Sequence, residues 1–508
     1  MPFGLPLRLP FSLRFGRRAL IRFGKSGARR RGERENLLDL SWAKDFWASV
    51  KDYVYVREED NVVILPPNMV YKTNETGVRI LAMLNSGASF EKLPGMDAAK
   101  LRDIASFLGD IRNLCDGKEV ATERIAYGFD FTRLPILGEI AVTYRCNNRC
   151  LFCYAGCGGG SCGSGAQGMP PRLDRAEGGR AFPSEGIVGE NDTASMERII
   201  DIFREKAKIP FFSFTGGEPL LREDLETLIA YAVGRHLRVN LITNGTLASP
   251  ERARSLFEAG LRTAQVSLES PDPFVHDSLC GAPGSHARTL AGIQALQAAG
   301  IRVQTNSTLT KPNRESLLSM PAFLKSIGVD RFSMNLYIPA ANAERAPELF
   351  VSYSETGAFV DEVRKRALAA GLTFFWYSPT PLCIYNPVAR GLGNKSCAAA
   401  DGLLSVDPEG NILPCSSYPE SLGNILRKEF SELWFSDRAA YFKNKRYAPE
   451  SCAGCGSFTA CQAACPLYWS YAGYDELEGA AKQNRAVGSA AIRAFEQTMR
   501  APASGQAR

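Results

Sequence analysis

From residue 137 to 339 the chain alternates short runs rich in β-branched and aromatic residues with longer stretches of helical periodicity. The pattern predicts strands at 139–144, 211–215, 238–243, 263–268, 303–308 and 331–338, with helices between them, for example at 251–259, 287–299 and 315–327. Strand-then-helix repetition implies right-handed crossovers and a parallel sheet. Six such units make an α/β fold, an incomplete (β/α) barrel whose chemistry belongs at the C-terminal ends of its strands. Upstream, 53–57, 62–65 and 69–73 read as three short strands separated by polar turns, and helical patterns follow at 75–84 and 98–114. A small α+β module therefore precedes the barrel. Residues 156–195 break the periodicity with Gly and Pro, an insertion that is either a lid or a tolerated disordered segment. The last residues, 501–508, read as a frayed end.

Length and composition narrow the class. The 508 residues suggest about three domains. With 45% hydrophobic, 10% aromatic and 22% charged residues, the composition excludes a disordered, collagen-like or coiled-coil chain. No uncharged apolar run of about 18 residues occurs, so no transmembrane segment is expected. The net charge of +6 is misleading, because residues 1–32 carry nine Lys or Arg and no acid, which leaves the rest at −3. The body thus offers no broad surface for nucleic acid. The basic start lacks a secretory pattern. It reads as a flexible or surface-associating tail, with a mitochondrial-type presequence or an amphipathic membrane-surface segment as alternatives.

Cysteine placement organises the chemistry. Of 14 cysteines, five lie within 146–162, Cys280 stands alone in the stretch 163–382, and seven fall between 383 and 465. Cys146, Cys150 and Cys153 have the spacing CX3CX2C and follow the first barrel strand. Three thiolates can wrap one corner of an iron–sulfur cube and leave one iron open, as a catalytic site requires. A partial zinc site or unrelated core thiols are the alternatives. One strand later, Gly216, Gly217, Glu218 and Pro219 end the second strand; the glycines permit close backbone approach to a ligand and Glu218 supplies an acceptor.

These two motifs together resemble the radical S-adenosylmethionine (SAM) superfamily. The resemblance implies a [4Fe-4S] cluster on Cys146, Cys150 and Cys153, whose open iron is chelated by SAM. Reductive cleavage of SAM would then yield a 5′-deoxyadenosyl radical. It further implies that Tyr154 meets the adenine through its backbone, and that Gly216, Gly217, Glu218 and Pro219 receive the SAM amino group. Ser267 and Glu269 would contact the ribose and carboxylate, although the family's form there is Ser-Leu-Asp rather than the Ser-Leu-Glu of this chain. Leu309 resembles the fifth-strand contact to adenine. Simple strand-end packing is the competing reading for Ser267 and Leu309.

Further on, Cys397 and Cys415 form CX12GX4C, and Cys452, Cys455, Cys461 and Cys465 form CX2CX5CX3C. Residues 406–412 between the first pair read as a hairpin turned at Pro408 and Gly410. The arrangement resembles the SPASM extension of radical SAM peptide maturases, with one or two auxiliary Fe–S clusters. The resemblance implies Cys397, Cys415 and Cys465 at the first auxiliary cluster, with Cys383 as fourth ligand, and Cys452, Cys455 and Cys461 at the second. No cysteine follows Cys465, so the second cluster's fourth ligand would be an acid such as Asp475, an exogenous group, or absent. Zinc is the rival metal for CX2C pairs. Cys115, Cys157, Cys162 and Cys280 are left as spare or buried thiols.

The run from Val63 to Gly77 resembles the small winged-helix-like, PqqD-like peptide-chaperone fold of pyrroloquinoline quinone biosynthesis. In that family a leader peptide adds a strand beside the third strand, here 69–73. A domain that merely packs on the barrel is the alternative. The expected organisation is a tail at 1–40, the peptide-recognition domain at 41–120, the barrel at 121–378, the Fe–S domain at 379–475 and a C-terminal helix and tail at 476–508. The resulting expectation is a cytoplasmic peptide maturase, with a precursor peptide carrying a leader, or a target protein, as substrate and a flavodoxin- or ferredoxin-type electron donor. The alternatives are a maturase of a protein or small cofactor, or a non-catalytic metal-stabilised binding protein. No general base stands out, although Glu269 and Tyr385 are conceivable.

Overall fold

The computed structural model describes residues 19–20, 40–65, 69–88, 97–116, 118, 132–156, 189–340 and 346–480. The segment holding Cys157 and Cys162, most of the basic tail and the chain after 480 lie outside the described residues.

The N-terminal module is a four-stranded sheet, order β1-β4-β3-β2, with three helices. Its elements are β1 (Ala19–Leu20), α1 (Ser41–Val50), β2 (Tyr55–Arg57), β3 (Val62–Leu65), β4 (Met69–Lys72), α2 (Glu75–Asn85) and α3 (Ala98–Cys115). Alternation along β3 decides what each face buries. Val63 and Leu65 face the helices, packing with Trp47, Leu81 and Leu108, while Val62 and Ile64 pack against Ile136 at the barrel entrance. Asn74 and Asp97 cap α2 and α3 by accepting backbone N–H bonds.

The barrel strands are β5 (Leu137–Thr143), β6 (Phe211–Gly216), β7 (Arg238–Thr243), β8 (Thr263–Ser267), β9 (Arg302–Leu309) and β10 (Arg331–Leu336), all parallel and paired in chain order. Helices α4 (Thr193–Glu205), α5 (Leu225–Gly234), α6 (Pro250–Glu258), α7 (Pro273–Cys280), α8 (Ser285–Ala298), α9 (Arg314–Leu317) and α10 (Met320–Ser326) lie between them. All six strands fall where the periodicity places them. Outward residues such as Ile140, Val142, Phe212, Phe214, Leu241, Val266, Phe332 and Met334 join the helices in one apolar core. The inward positions are polar instead, including Glu139, Ser213, Asn240, Gln265, Gln304, Asn306 and Ser333.

Two features extend the sheet beyond six strands. After α11 (Tyr353–Ala369), β11 (Thr373–Trp376) adds a seventh parallel strand beside β10. The chain then crosses to the opposite edge, where β12 (Leu403–Val406) pairs in parallel with β5, and β13 (Asn411–Leu413) and β14 (Gly423–Asn424) follow antiparallel. The 406–412 hairpin forms as expected, with Asp407 accepting N–H bonds from Glu409 at 3.0 Å and Asn411 at 2.8 Å. The C-terminal region is therefore welded to the first barrel strand. Among the described residues no helix is long and apolar enough to cross a membrane.

Candidate active site

The loop after β5 carries Cys146, Cys150 and Cys153 and is seated on the C-terminal end of α7. Arg149 N–H donates to Cys280 O at 2.9 Å, and Leu151 N–H to Leu279 O at 3.0 Å. Inside the loop Asn148 N–H donates to Cys146 Sγ at 3.4 Å and Cys153 N–H to Cys150 O at 3.2 Å. The three sulfurs are electrostatic neighbours of one another. Burial pushes the Cys146 thiol up to about 12, so a metal centre is what would hold it as a thiolate. Three soft donors in one loop suit an iron–sulfur group with one iron unclaimed. Among the described residues no group of three or more His, Cys, Asp or Glu side chains is drawn close enough to hold a single metal ion. The sulfurs are thus gathered as neighbours rather than closed around one ion.

The glycine motif is stitched to the strand that leads into this loop. Gly217 N–H donates to Thr143 O and Glu218 N–H to Arg145 O, both at 2.8 Å. Gly216 has φ +135°, and a Cβ there would sit 2.1 Å from Thr143 O; at Gly217 it would sit 2.3 Å from Arg145 O. Only glycine fits this cradle. Glu218 is fully buried: Oε1 accepts from Thr243 Oγ1 at 2.7 Å and Leu220 N–H at 3.0 Å, and Oε2 from Asn244 N–H at 2.7 Å. Its carboxylate pins the loop to the end of β7 from behind, and Pro219 opens the short turn that follows.

The other expected SAM contacts differ in placement. Tyr154 is half-buried in the turn after Cys153, and Ser267 ends β8 on its half-buried face. Glu269, 1% exposed, spends Oε2 on Thr308 N–H at 2.7 Å, and desolvation pushes its carboxyl up to about 8. This enclosed acid ties two strand ends together. Leu309 is wholly buried in the barrel core. Tyr385 donates its hydroxyl to Asp361 Oδ1 at 3.0 Å, and burial beside that carboxylate raises its pKa, so it is poorly suited as a base.

The C-terminal cysteines separate into two sets. Cys397, Cys415 and Cys465 are electrostatic neighbours, with Tyr353 and Tyr447 against them. In the other, Cys455 neighbours Cys461 and its N–H donates to Cys452 O at 3.1 Å. Cys383, expected with the first set, lies beside the second. It neighbours Cys461, Cys452 and Cys455, because the 381–385 turn is docked on Cys461, whose Sγ accepts from Leu382 N–H at 3.3 Å. Asp475, the suggested acidic ligand, is exposed.

Three features escaped the sequence reading. The barrel lumen is lined by amides and hydroxyls: Gln304 Nε2 donates to Ser333 Oγ at 3.1 Å and Tyr377 OH at 2.8 Å, and Asn306 Nδ2 to Asn335 Oδ1 at 2.7 Å. Glu139 points there beside Cys415, accepting from Ser405 Oγ at 2.7 Å and Ser416 N–H at 3.2 Å, and burial raises its pKa. Cys280 sits between Cys150 and His276, with His276 Nε2 3.5 Å from its Sγ. Period-2 alternation could have turned Glu139, Gln304 and Asn306 inward; no local signal marks Cys280.

A cysteine loop after the first strand, a glycine cradle after the second and a polar lumen define a radical SAM enzyme. Residues 140–336 match the radical SAM superfamily and residues 397–456 match an iron–sulfur cluster-binding domain, SPASM, so the chain carries both domains. SAM and a [4Fe-4S] cluster at the barrel, with auxiliary Fe–S clusters in the C-terminal region, come with these domains. The chain is 28% identical over 290 residues to an AdoMet-dependent heme synthase of Nitratidesulfovibrio vulgaris, covering 54% of this chain and 77% of that protein. It is 28% identical over 277 residues to a PqqA peptide cyclase of Xanthomonas campestris pv. campestris, covering 52% of this chain and 71% of that protein. In fold it resembles Streptococcus suis SuiB bound to S-adenosylmethionine, with a TM-score of 0.58 at 15% identity, covering 82% of this chain and 97% of that one. A structure of SuiB bound to precursor peptide SuiA superposes similarly, with a TM-score of 0.57 at 15% identity, covering 82% of this chain and 95% of that one.

Proposed function

We propose that this radical SAM enzyme matures a ribosomally made peptide, engaging the precursor's leader through the N-terminal module and oxidising or crosslinking a core residue in the barrel lumen. One observation carries the reading. The SuiB likeness spans 82% of this chain, more than residues 132–508 supply, so it takes in part of the N-terminal module as well as the barrel. SuiB is a protein that binds a precursor peptide, and the PqqA cyclase relatives are named for a peptide substrate.

When bound, SAM and the Fe–S groups supply a 5′-deoxyadenosyl radical and one-electron acceptors for the oxidised product. The chain's own residues do the positioning. The Gly216–Gly217 cradle offers backbone groups at the strand ends, and buried Glu218 keeps that loop fixed. The donors and acceptors of Gln304, Asn306 and Asn335 suit the amide groups of a peptide. Lys395, whose pKa burial lowers to about 8, lies 5.8 Å from the Tyr377 ring and places a cation near the same wall. On the module, β4 is the strand for leader docking, and it accepts a further strand: Ala19–Leu20 pair with it in parallel on its outer side. A leader strand there would displace that segment. A flavodoxin- or ferredoxin-type protein would deliver the reducing electron.

A second reading, maturation of a small cofactor, draws on the heme synthase relatives. The test is anaerobic turnover of a precursor peptide encoded beside this gene, followed by mass spectrometry. The proposal expects a mass change of the full-length precursor that is lost when the leader is removed. Conversion of a small-molecule precursor, with the peptide untouched, would replace it.

A further inference from the structure

We propose that Cys383 is the fourth thiolate ligand of the second auxiliary site, closing a set with Cys452, Cys455 and Cys461 and leaving the first auxiliary site with Cys397, Cys415 and Cys465. The inference rests on the iron–sulfur character of the C-terminal domain and not on the identity of the substrate. A four-iron cluster held only by protein takes four thiolates, yet no cysteine follows Cys465. The fold brings an upstream thiol to that set, because Leu382 N–H donates to Cys461 Sγ and Cys383 neighbours Cys461, Cys452 and Cys455.

The segment around Cys383 is built into place from both sides. Trp376 Nε1 donates to Thr380 Oγ1 at 2.9 Å, Thr380 N–H to Lys395 O at 3.0 Å, and Tyr353 OH to Pro379 O at 2.8 Å. Pro381 O then accepts from Ile384 N–H and Tyr385 N–H, both at 3.0 Å, which makes the turn holding Cys383. Tyr385 anchors its far side on Asp361 at 3.0 Å. Leu382 N–H, next to Cys383 in the chain, reaches Cys461 Sγ at 3.3 Å, an amide-to-sulfur bond of the kind that tunes cluster thiolates.

A strained turn accounts for the division of the last two cysteines. Gln462, Ala463 and Ala464 all have left-handed backbones, with φ of 57°, 54° and 59°. Such conformations are unfavourable for non-glycine residues and persist where surrounding structure imposes them. Here Tyr447 OH donates toward Gln462 O at 3.4 Å and Ala464 O at 3.2 Å, and Trp469 Nε1 donates to Ala463 O at 2.5 Å. The reversal sends Cys461 toward Cys455 and Cys383 and Cys465 toward Cys397.

The test compares full-length, anaerobically reconstituted wild type with Cys383→Ala, Cys383→Asp, Cys455→Ala and Cys415→Ala, by iron and sulfide content and by EPR of the reduced proteins. The component altered by Cys455→Ala is expected to be the one altered by Cys383→Ala, while the component altered by Cys415→Ala persists in both. Cys383→Asp, which keeps an anionic donor, is expected to retain wild-type iron with a shifted signal of that same component. The proposal is overturned if Cys383→Ala or Cys383→Asp alters the Cys415-sensitive component, or if both keep wild-type iron content and wild-type spectra. Formation of 5′-deoxyadenosine by the same samples reports separately on the barrel site.

Discussion

Arg57 and Asp60 form a two-pronged ion pair, Nε to Oδ1 and Nη2 to Oδ2, each at 2.8 Å, with both side chains closed to solvent. The pair lies in the joint between the N-terminal module and the barrel. Arg57 also donates to Pro135 O at 2.6 Å and Leu134 O at 3.1 Å, and Asp60 Oδ2 accepts from Arg133 N–H at 2.9 Å. The module is thereby fixed to the strand that leads into the cysteine loop. Removing one partner leaves a buried charge without its counterion. Arg57→Ala is expected to lower stability by about 3–5 kcal/mol, read by anaerobic chemical denaturation; a loss below about 1 kcal/mol would show that the joint relaxes or hydrates freely.

The glycine cradle gives a second expectation. A methyl group at Gly216 or Gly217 would collide with the backbone oxygen of Thr143 or Arg145. Gly216→Ala and Gly217→Ala should each shift the loop and lower SAM cleavage by about 100-fold or more, with iron content at the Cys146 loop retained. Unchanged 5′-deoxyadenosine formation would remove the cradle from the site.

Much of this architecture was legible in the sequence, and the misses share a cause. The six barrel strands repeat a local pattern, and CX3CX2C followed by the glycine motif is a local signal too. The strand β11 was missed because it is only four residues long and Phe374, Phe375 and Trp376 run consecutively, with no alternation. The pairing of β12 with β5 joins residues more than 250 positions apart, beyond what periodicity reports. The resemblance implies Cys383 at the first set, and no local pattern reports the docked 381–385 turn and the left-handed reversal at 462–464 that set its neighbours. Glu269 and Leu309 occupy strand ends and are both buried there, which local pattern does not report.

His276 makes a pH-dependent contribution. Desolvation, aided by neighbouring His286, depresses its pKa from 6.5 to about 4. The folded state therefore binds fewer protons than the unfolded chain between those values, so stability is fully present above 6.5 and falls as pH drops toward 4. The contribution is at most about 3 kcal/mol. His276→Gln keeps an acceptor for Glu269 N–H, which now donates to Nδ1 at 3.1 Å. The variant should lose less stability than wild type between pH 7 and 5 in parallel melts; identical slopes would argue that His276 is not held neutral.

Glu139 separates SAM cleavage from product formation. It lies in the lumen, away from the glycine cradle, and its acceptor role toward Ser405 and Ser416 survives in Glu139→Gln. Under the peptide-maturase proposal Glu139→Ala should lower product formation by roughly 10- to 100-fold while SAM cleavage continues. Equal loss of both would place Glu139 in support of the fold alone.

The central claim is that the Cys146, Cys150 and Cys153 loop carries the SAM-cleaving centre. Its most direct test is 5′-deoxyadenosine formed by anaerobically reconstituted, dithionite-reduced enzyme with SAM, measured beside Cys150→Ala. Wild type is predicted to form 5′-deoxyadenosine and methionine in equal amounts, and Cys150→Ala to form none. Absence of 5′-deoxyadenosine from cluster-loaded wild type, or equal yields from both proteins, would contradict it.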